Sequence, residues 1–209
     1  NHPNRILGKA DVYGYEYLVE TNLAKAWAQI VSTKKQLDLF VAAELSYTNY
    51  LRDGRMRTGL FPYNSFGRSG LNEFSNYACK AGITYKINGR KYVYLHAAMM
   101  TKAPLFDNVF ISPRTRDTEQ ENITSEKIQT AEAGYIYNAP AIKLRITGYL
   151  TNFMDGMNVT TFYHDGYRSF MNYALYGIHK LHLGTELGCE IKLSSRYSIN
   201  VASSSGLYY

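Results

Sequence analysis

The chain is poor in the residues that would make several fold classes possible. It holds two cysteines, one tryptophan and five prolines in 209 residues. No run approaches the ~18 apolar residues of a membrane-spanning helix, which excludes a helical membrane protein but not a strand-built one. Cys79 and Cys189 each lie in a strand pattern. In the strand layout below they stand four strands apart, roughly 19 Å at ~4.8 Å per strand, too far for a disulfide. The opening residues, NHPNRILGKA, have no apolar h-region. That leaves a cytosolic chain, a mature product or an excerpt. No Ser-His-Asp order, Cys-His pairing, Gly-rich phosphate loop or zinc spacing occurs, so an enzyme is not expected. His179 and His182, three apart on a strand, face opposite ways and cannot share a metal. Asp155, His164 and Asp165 read as a polar turn. No cofactor or metal is expected.

What is abundant is tyrosine: 20 Tyr beside 9 Phe and 16 Gly. The net charge of +6 is spread along the chain rather than clustered, which argues against nucleic acid. The dominant signal is alternation with period 2. In IKLRITGYL, Ile142, Leu144, Ile146 and Leu150 oppose Lys143, Arg145, Thr147 and Tyr149. KLHLGTELGCEIKL and LDLFVAAEL sort the same way. Eight strands are expected, about 13–31, 36–51, 76–87, 90–102, 126–138, 141–154, 172–193 and 196–208. Only ETNLAKAWAQIVS could compete as a short helix.

The stretch KAGITYKINGRKYVYLHAA reads as a hairpin around Asn88-Gly89. A two-residue turn mixes its faces. A three-residue loop with Gly89 left-handed in a G1 bulge separates Ala81, Ile83, Tyr85, Val93, Leu95 and Ala97 from the basic and phenolic side chains. That register pairs Lys86 with Arg90, Thr84 with Tyr92 and Gly82 with Tyr94. Tyr85 then stands at a membrane-interface position, and Tyr92, Tyr94 and Tyr149 face the other way.

Connection lengths alternate. Short turns fall at 33–35, 88–89, 139–140 and 194–195, and long loops at about 52–75, 103–125 and 155–171. Tight turns at one end and long loops at the other are how outer-membrane barrels are built. Strands this long exceed the ~5–6 residues usual in globular sheets. Four short turns against three long loops would put both chain ends outside, so an unfinished barrel is expected.

Several segments taken in order resemble the C-terminal barrel region of TonB-dependent outer-membrane receptors, most closely the type abundant in Bacteroidota. They are KAGITYKINGRKYVYLHAAMMTKAPLFDNVFISPR, SEKIQTAEAGYIYNAP, KLRITGYLTNFMDG, FYHDG and HLGTELGCEIKL. Glu126, Glu132 and Gly134 match a family pattern, with Ser125 where proline is common. The resemblance implies an all-β antiparallel transmembrane barrel, present in part: about eight strands of 22, spanning residues 1–209, without the plug domain. It also implies TonB-driven import across the bacterial outer membrane. The implied partners are an imported solute, the TonB complex acting through the missing plug, outer-membrane lipid and a surface lipoprotein.

Arginines and aromatic residues together in a loop suit an anionic or ring-bearing ligand. Arg55, Arg57, Phe61, Tyr63 and Phe66 are therefore candidates in the first long loop, Arg114 and Arg116 in the second, Tyr163 and His164 in the third. The bland reading of each is loop packing. Glu126 and Glu132 share a strand face and read as solvated carboxylates beside basic neighbours. The alternatives are a complete small barrel, acting as a passive pore or adhesin, and a soluble β-sheet module that binds glycans.

Overall fold

A computed structural model describes residues 6–209. Residues 1–5, part of the opening stretch, lie outside that range. The strands are β1 (Tyr17–Lys34), β2 (Leu37–Gly54), β3 (Gly67–Arg68), β4 (Asn72–Asn88), β5 (Lys91–Lys102), β6 (Glu126–Asn138), β7 (Ile142–His164), β8 (Ser169–Lys192) and β9 (Ser198–Tyr208). One helical turn, α1 (Phe106–Val109), interrupts the second long loop. Strands β1, β2, β4, β5, β6, β7, β8 and β9 form one antiparallel sheet in chain order, and the two-residue β3 pairs with β2. The eight expected long strands are all present. ETNLAKAWAQIVS lies within β1, so its helical alternative is lost to continuous pairing with β2.

The sheet is inside-out for a protein in water. Its apolar face is the exposed one: Val41, Leu45 and Leu95 are 60%, 69% and 53% exposed, and Leu39, Ile83, Val93, Ile146 and Leu150 share that face. A patch this continuous would be costly in water at ~25 cal/mol per Å², but costs nothing against hydrocarbon. Tyr85, Tyr135 and Tyr137 lie on this face near the short turns, and Tyr47 and Tyr77 near the long loops. Tyr77 and Tyr85 stand roughly 27 Å apart along β4 at ~3.4 Å per residue. Tilted by ~40°, that is about 20 Å, the right order for the ~25 Å apolar band between aromatic girdles.

The opposite face is polar and tied by cross-strand pairs: Lys86 to Asp38 at 2.7 Å, Lys25 to Glu44 at 2.8 Å, Lys143 to Glu190 at 2.8 Å. β1 departs from the pattern, because Leu23, Trp27 and Val31 also face inward. Cys79 and Cys189 are free, on β4 and β8.

Three expectations are corrected. The β4–β5 hairpin pairs Lys86 with Tyr92, Thr84 with Tyr94 and Gly82 with His96, two residues from the register read from sequence. The side chain of Asn88 closes the turn, its Oδ1 accepting from the backbone N–H of Arg90 (2.9 Å) and Lys91 (3.0 Å). With the turn held that way, the bulge falls between Lys86 and Asn88, and Gly89 is not among the glycines of positive φ. A slip of two leaves every side chain on its expected face. Next, 155–171 is not a loop. β7 and β8 continue through it as a hairpin, turned at Asp165–Tyr167. Finally, Arg52, read as a loop residue, is part of β2.

The β7–β8 hairpin bends where two register shifts flank Gly156. One extra residue on each strand takes a left-handed backbone: Asp155 at φ 57° and Gly177 at φ 67°. Paired bulges restore the register while turning the ribbon. Below the bend the hairpin belongs to the wall; above it, residues 156–178 form an arm.

Candidate functional site

The hydrophobic core among the described residues lies at the mouth, not in the wall. Tyr50, Phe74, Val109 and Phe110 pack together, joined by Ala103, Phe106 and Ile123. Tyr50 and Phe74 belong to the inward parity of β2 and β4. Loop 103–125 thus folds over the concave side, with α1 against the upper wall.

Arg52 fastens this cap. It is 1% exposed, next along the inward parity of β2 after Tyr50. Its Nε donates to the Pro113 carbonyl at 2.6 Å, and Nη1 and Nη2 share the Ser65 carbonyl at 3.3 Å. The guanidinium lies over the Tyr17 ring at 5.5 Å. Burial lowers its pKa from the ordinary guanidinium range, while Asp117, Tyr17 and Asp53 pull it back up. It stays charged at any physiological pH. Burial also raises the Tyr17 phenol, helped by Asp107 and opposed by Arg114.

The long loops are joined to one another. Asp117 N–H donates to the Asn64 carbonyl at 2.8 Å, and Asn64 Nδ2 to Thr118 Oγ1 at 3.0 Å, joining loop 55–71 to loop 103–125. The arm is docked through Asn172. Its N–H donates to the Ile111 carbonyl at 2.7 Å, and its Nδ2 to the carbonyls of Asp107 (2.9 Å) and Phe110 (3.2 Å). Ser112 Oγ returns a bond to the Phe170 carbonyl at 2.8 Å. At the bend, Lys127 pairs with Asp155 at 2.7 Å, which holds the Asp155 carboxyl below its ordinary 3.8.

The sequence-derived candidates separate in this frame. Arg116 stacks on Phe61 at 4.6 Å and on Tyr167 at 5.5 Å, so Phe61 is brought to it from another loop. Arg57 stacks on Phe66 at 5.6 Å and Arg114 on Tyr15 at 5.5 Å. Tyr163 packs edge-on against Phe170 at 5.3 Å. His164 accepts the Tyr167 N–H at 3.3 Å and caps the turn of the arm. Among the described residues the Arg55 side chain pairs with Asp53 alone, at 3.8 Å, and Tyr63 is 97% exposed. A cavity of ≈ 210 Å³ opens between the arm and the loop, lined by Tyr17, Asp107, Arg114, Thr161, Phe170 and Asn172.

Nothing in the amino-acid pattern marks Arg52 or Asn172 as fasteners, or foretells a cluster on the inner face lower in the wall. There Tyr94 is 4% exposed, its hydroxyl 2.8 Å from Thr147 Oγ1 and 3.0 Å from Arg145 Nη2, which donates. His96 stacks on Tyr94 at 4.8 Å and meets Glu132 at 3.2 Å. The Tyr94 ring lies flat over Gly134, its pairing partner, where a Cβ would come within 2.5 Å of the ring. Phe40 over Gly82 and Tyr149 over Gly184 repeat the device at two other strand pairs. Large side chains are thereby laid along the wall instead of across the lumen. Glu126, by contrast, stands at the mouth beside Gly156.

No family model matches the sequence, and no curated protein matches it. Solved structures do. The chain superposes on the copper transporter OprC with TM-score 0.71 and 13% identity, over 91% of this chain and 29% of that one. It superposes on Fiu, the ferric-catecholate import receptor of E. coli K12, in its closed form, with TM-score 0.59 and 14% identity, over 90% of this chain and 29% of that one. Both neighbours are TonB-dependent receptors. The fold is that of a section of such a receptor's barrel. The chain spans less than a third of either neighbour, and at this identity the likeness speaks to fold alone. Within that fold, the apolar exposed face is the outside of the barrel wall and the polar face its inside.

Proposed function

We propose that the chain forms part of the wall and external mouth of a TonB-driven importer in a bacterial outer membrane. The observation that carries this is the union of an inside-out sheet with two long loops and the β7–β8 arm folded into one cap over the concave face. A passive pore needs a polar lumen but no such built mouth. The cap supplies binding surfaces; the luminal cluster supplies a hydrated path past which a solute moves. Activity in this reading is capture and passage of a scarce nutrient, without covalent catalysis. The partners are the solute, outer-membrane lipid, the TonB complex acting through a plug domain, and a surface lipoprotein above the mouth.

The test is uptake. The complete protein carrying this segment is deleted in its host, and growth on limiting nutrients is compared with that of a strain lacking TonB. The reading expects the same nutrient defect in both strains, restored by the intact gene. Uptake that persists without TonB refutes it.

A further inference from the structure

The net charge is spread along the sequence but not in space. The four short turns with their flanking residues, 33–38, 86–92, 137–143 and 190–198, hold eight lysines and arginines and two carboxylates. That surplus of six equals the net charge of the whole chain, +6, and the remaining sequence is balanced, with fifteen charges of each sign. The sheet sets these turns side by side. Lys86 N–H donates to the Gln36 carbonyl at 2.7 Å, Asn138 N–H to the Arg90 carbonyl at 2.7 Å, and Lys192 N–H to the Ala141 carbonyl at 2.8 Å, so each turn is bonded to the next. Eight strands at ~4.8 Å spacing make this rim about 34 Å long. Two of its cations are neutralised, Lys86 by Asp38 and Lys143 by Glu190. Lys34, Lys35, Arg90, Lys91, Lys192 and Arg196 are exposed, and among the described residues their side chains make no ion pair or hydrogen bond.

We propose that the short-turn rim binds the phosphodiester headgroups of anionic phospholipids in the inner leaflet of the outer membrane. This rests on the importer reading for the orientation of the barrel, and it names the class of lipid. A row of one sign repels itself unless counter-charge faces it. The depth of the row indicates which counter-charge. Lys34 pairs with Leu37, itself the partner of Tyr85, and Lys91 pairs with Tyr137, so both have the parity of the apolar face. They stand just beyond the tyrosines nearest the short turns, at headgroup level on the outside of the wall. Lys35, Arg90 and Arg196 sit in the turns, and their long stems reach the same level. An acidic protein below the barrel would meet the turns but leave Lys34 and Lys91 unanswered. A zwitterionic headgroup carries its own ammonium and offers little net attraction. Phosphatidylglycerol carries the phosphate alone.

The experiment uses the complete outer-membrane protein reconstituted in phosphatidylcholine bilayers. Electron spin resonance reads how much spin-labelled phosphatidylglycerol, and how much spin-labelled phosphatidylcholine, is immobilised at the wall. Phosphatidylglycerol is favoured about threefold or more at low salt, and the preference collapses near ~1 M salt, where charges are screened within ~3 Å. The fourfold variant Lys34→Gln, Lys35→Gln, Arg90→Gln, Lys91→Gln breaks no ion pair or side-chain hydrogen bond among the described residues. It loses most of the preference and keeps the heat-resistant folded band. Lys34→Arg, Lys35→Arg and Lys91→Arg together keep the charge and the preference. If the fourfold variant does not fold, two double variants, one per turn, decide: each lowers the preference, and an unchanged preference in both overturns the proposal. Equal immobilisation of the two lipids, a preference that survives high salt, or one undiminished in the fourfold variant also overturns it. TonB-dependent uptake without lipid preference removes this inference alone. Lipid preference without TonB-dependent uptake removes the importer reading and leaves the rim.

Discussion

Replacing Arg52 by methionine tests whether the mouth is held by one buried side chain. Methionine keeps most of the volume and fills irregular gaps, so the loss is chiefly polar. Three bonds vanish: the short one to the Pro113 carbonyl at 2.6 Å and the shared pair to Ser65 at 3.3 Å. Hydrogen bonds from a charged donor contribute ~1.5–3 kcal/mol each at good geometry, and the shared pair less. A total of about 3 kcal/mol for docking loop 103–125 is therefore expected, offset only in part by water reaching the freed carbonyls. That corresponds to roughly a 100-fold larger opening constant for the cap. Hydrogen exchange measures it directly on the complete protein. Amides held across the cap, those of Asp117 and Asn172, exchange roughly 100-fold faster if opening is local. Amides in the middle of β4 and β5 keep their rates, because none of their ladder partners moves. Unchanged cap exchange in the methionine variant refutes the fastening role. Equal acceleration in wall and cap shows that the cap is not an independent unit.

Other perturbations separate wall from mouth. Leu95→Arg puts a charge on the lipid face and costs about 2–4 kcal/mol near the midplane, read as loss of the heat-resistant folded band on gels; an unaffected band refutes the membrane orientation. Gly134→Ala drives a Cβ to within 2.5 Å of the Tyr94 ring and costs about 1–3 kcal/mol in the same assay. Tyr94→Ala in that background relieves the clash, so a double mutant no better than the single refutes the pairing. Lys127 lowers the pKa of Asp155, so the stability of the bend is fully present above the ordinary carboxylate value of 3.8 and is lost as pH falls through the lowered folded value. Asp155→Asn removes that acid limb from an arm-opening profile; an acid limb of the same size in the asparagine variant refutes the assignment.

Alternation alone settled the wall. Side chains on a strand change face at every residue, so Ile142, Leu144 and Ile146 had to share one side and Lys143, Arg145 and Thr147 the other, wherever the strand sat. This is why the β4–β5 register could be two residues off while Ile83, Tyr85 and Val93 stayed on the apolar side: face depends on parity, and parity survives an even slip. The turn itself was decided by one hydrogen-bonding side chain, Asn88, which alternation does not weigh. Connection lengths likewise showed two unlike ends but not what the long segments do. Residues 155–171 carried mixed polar and aromatic side chains, and only pairing with the opposite strand turned them into an arm with compensating bulges at Asp155 and Gly177. The mouth was least legible. Arg52 and Asn172 lie far apart in sequence and look like ordinary strand residues, and Phe61 stood among the candidates without any sign of which segments it would meet. Their roles come from carbonyls and rings brought to them by other segments, and such contacts exist only once the sheet has set the loops side by side.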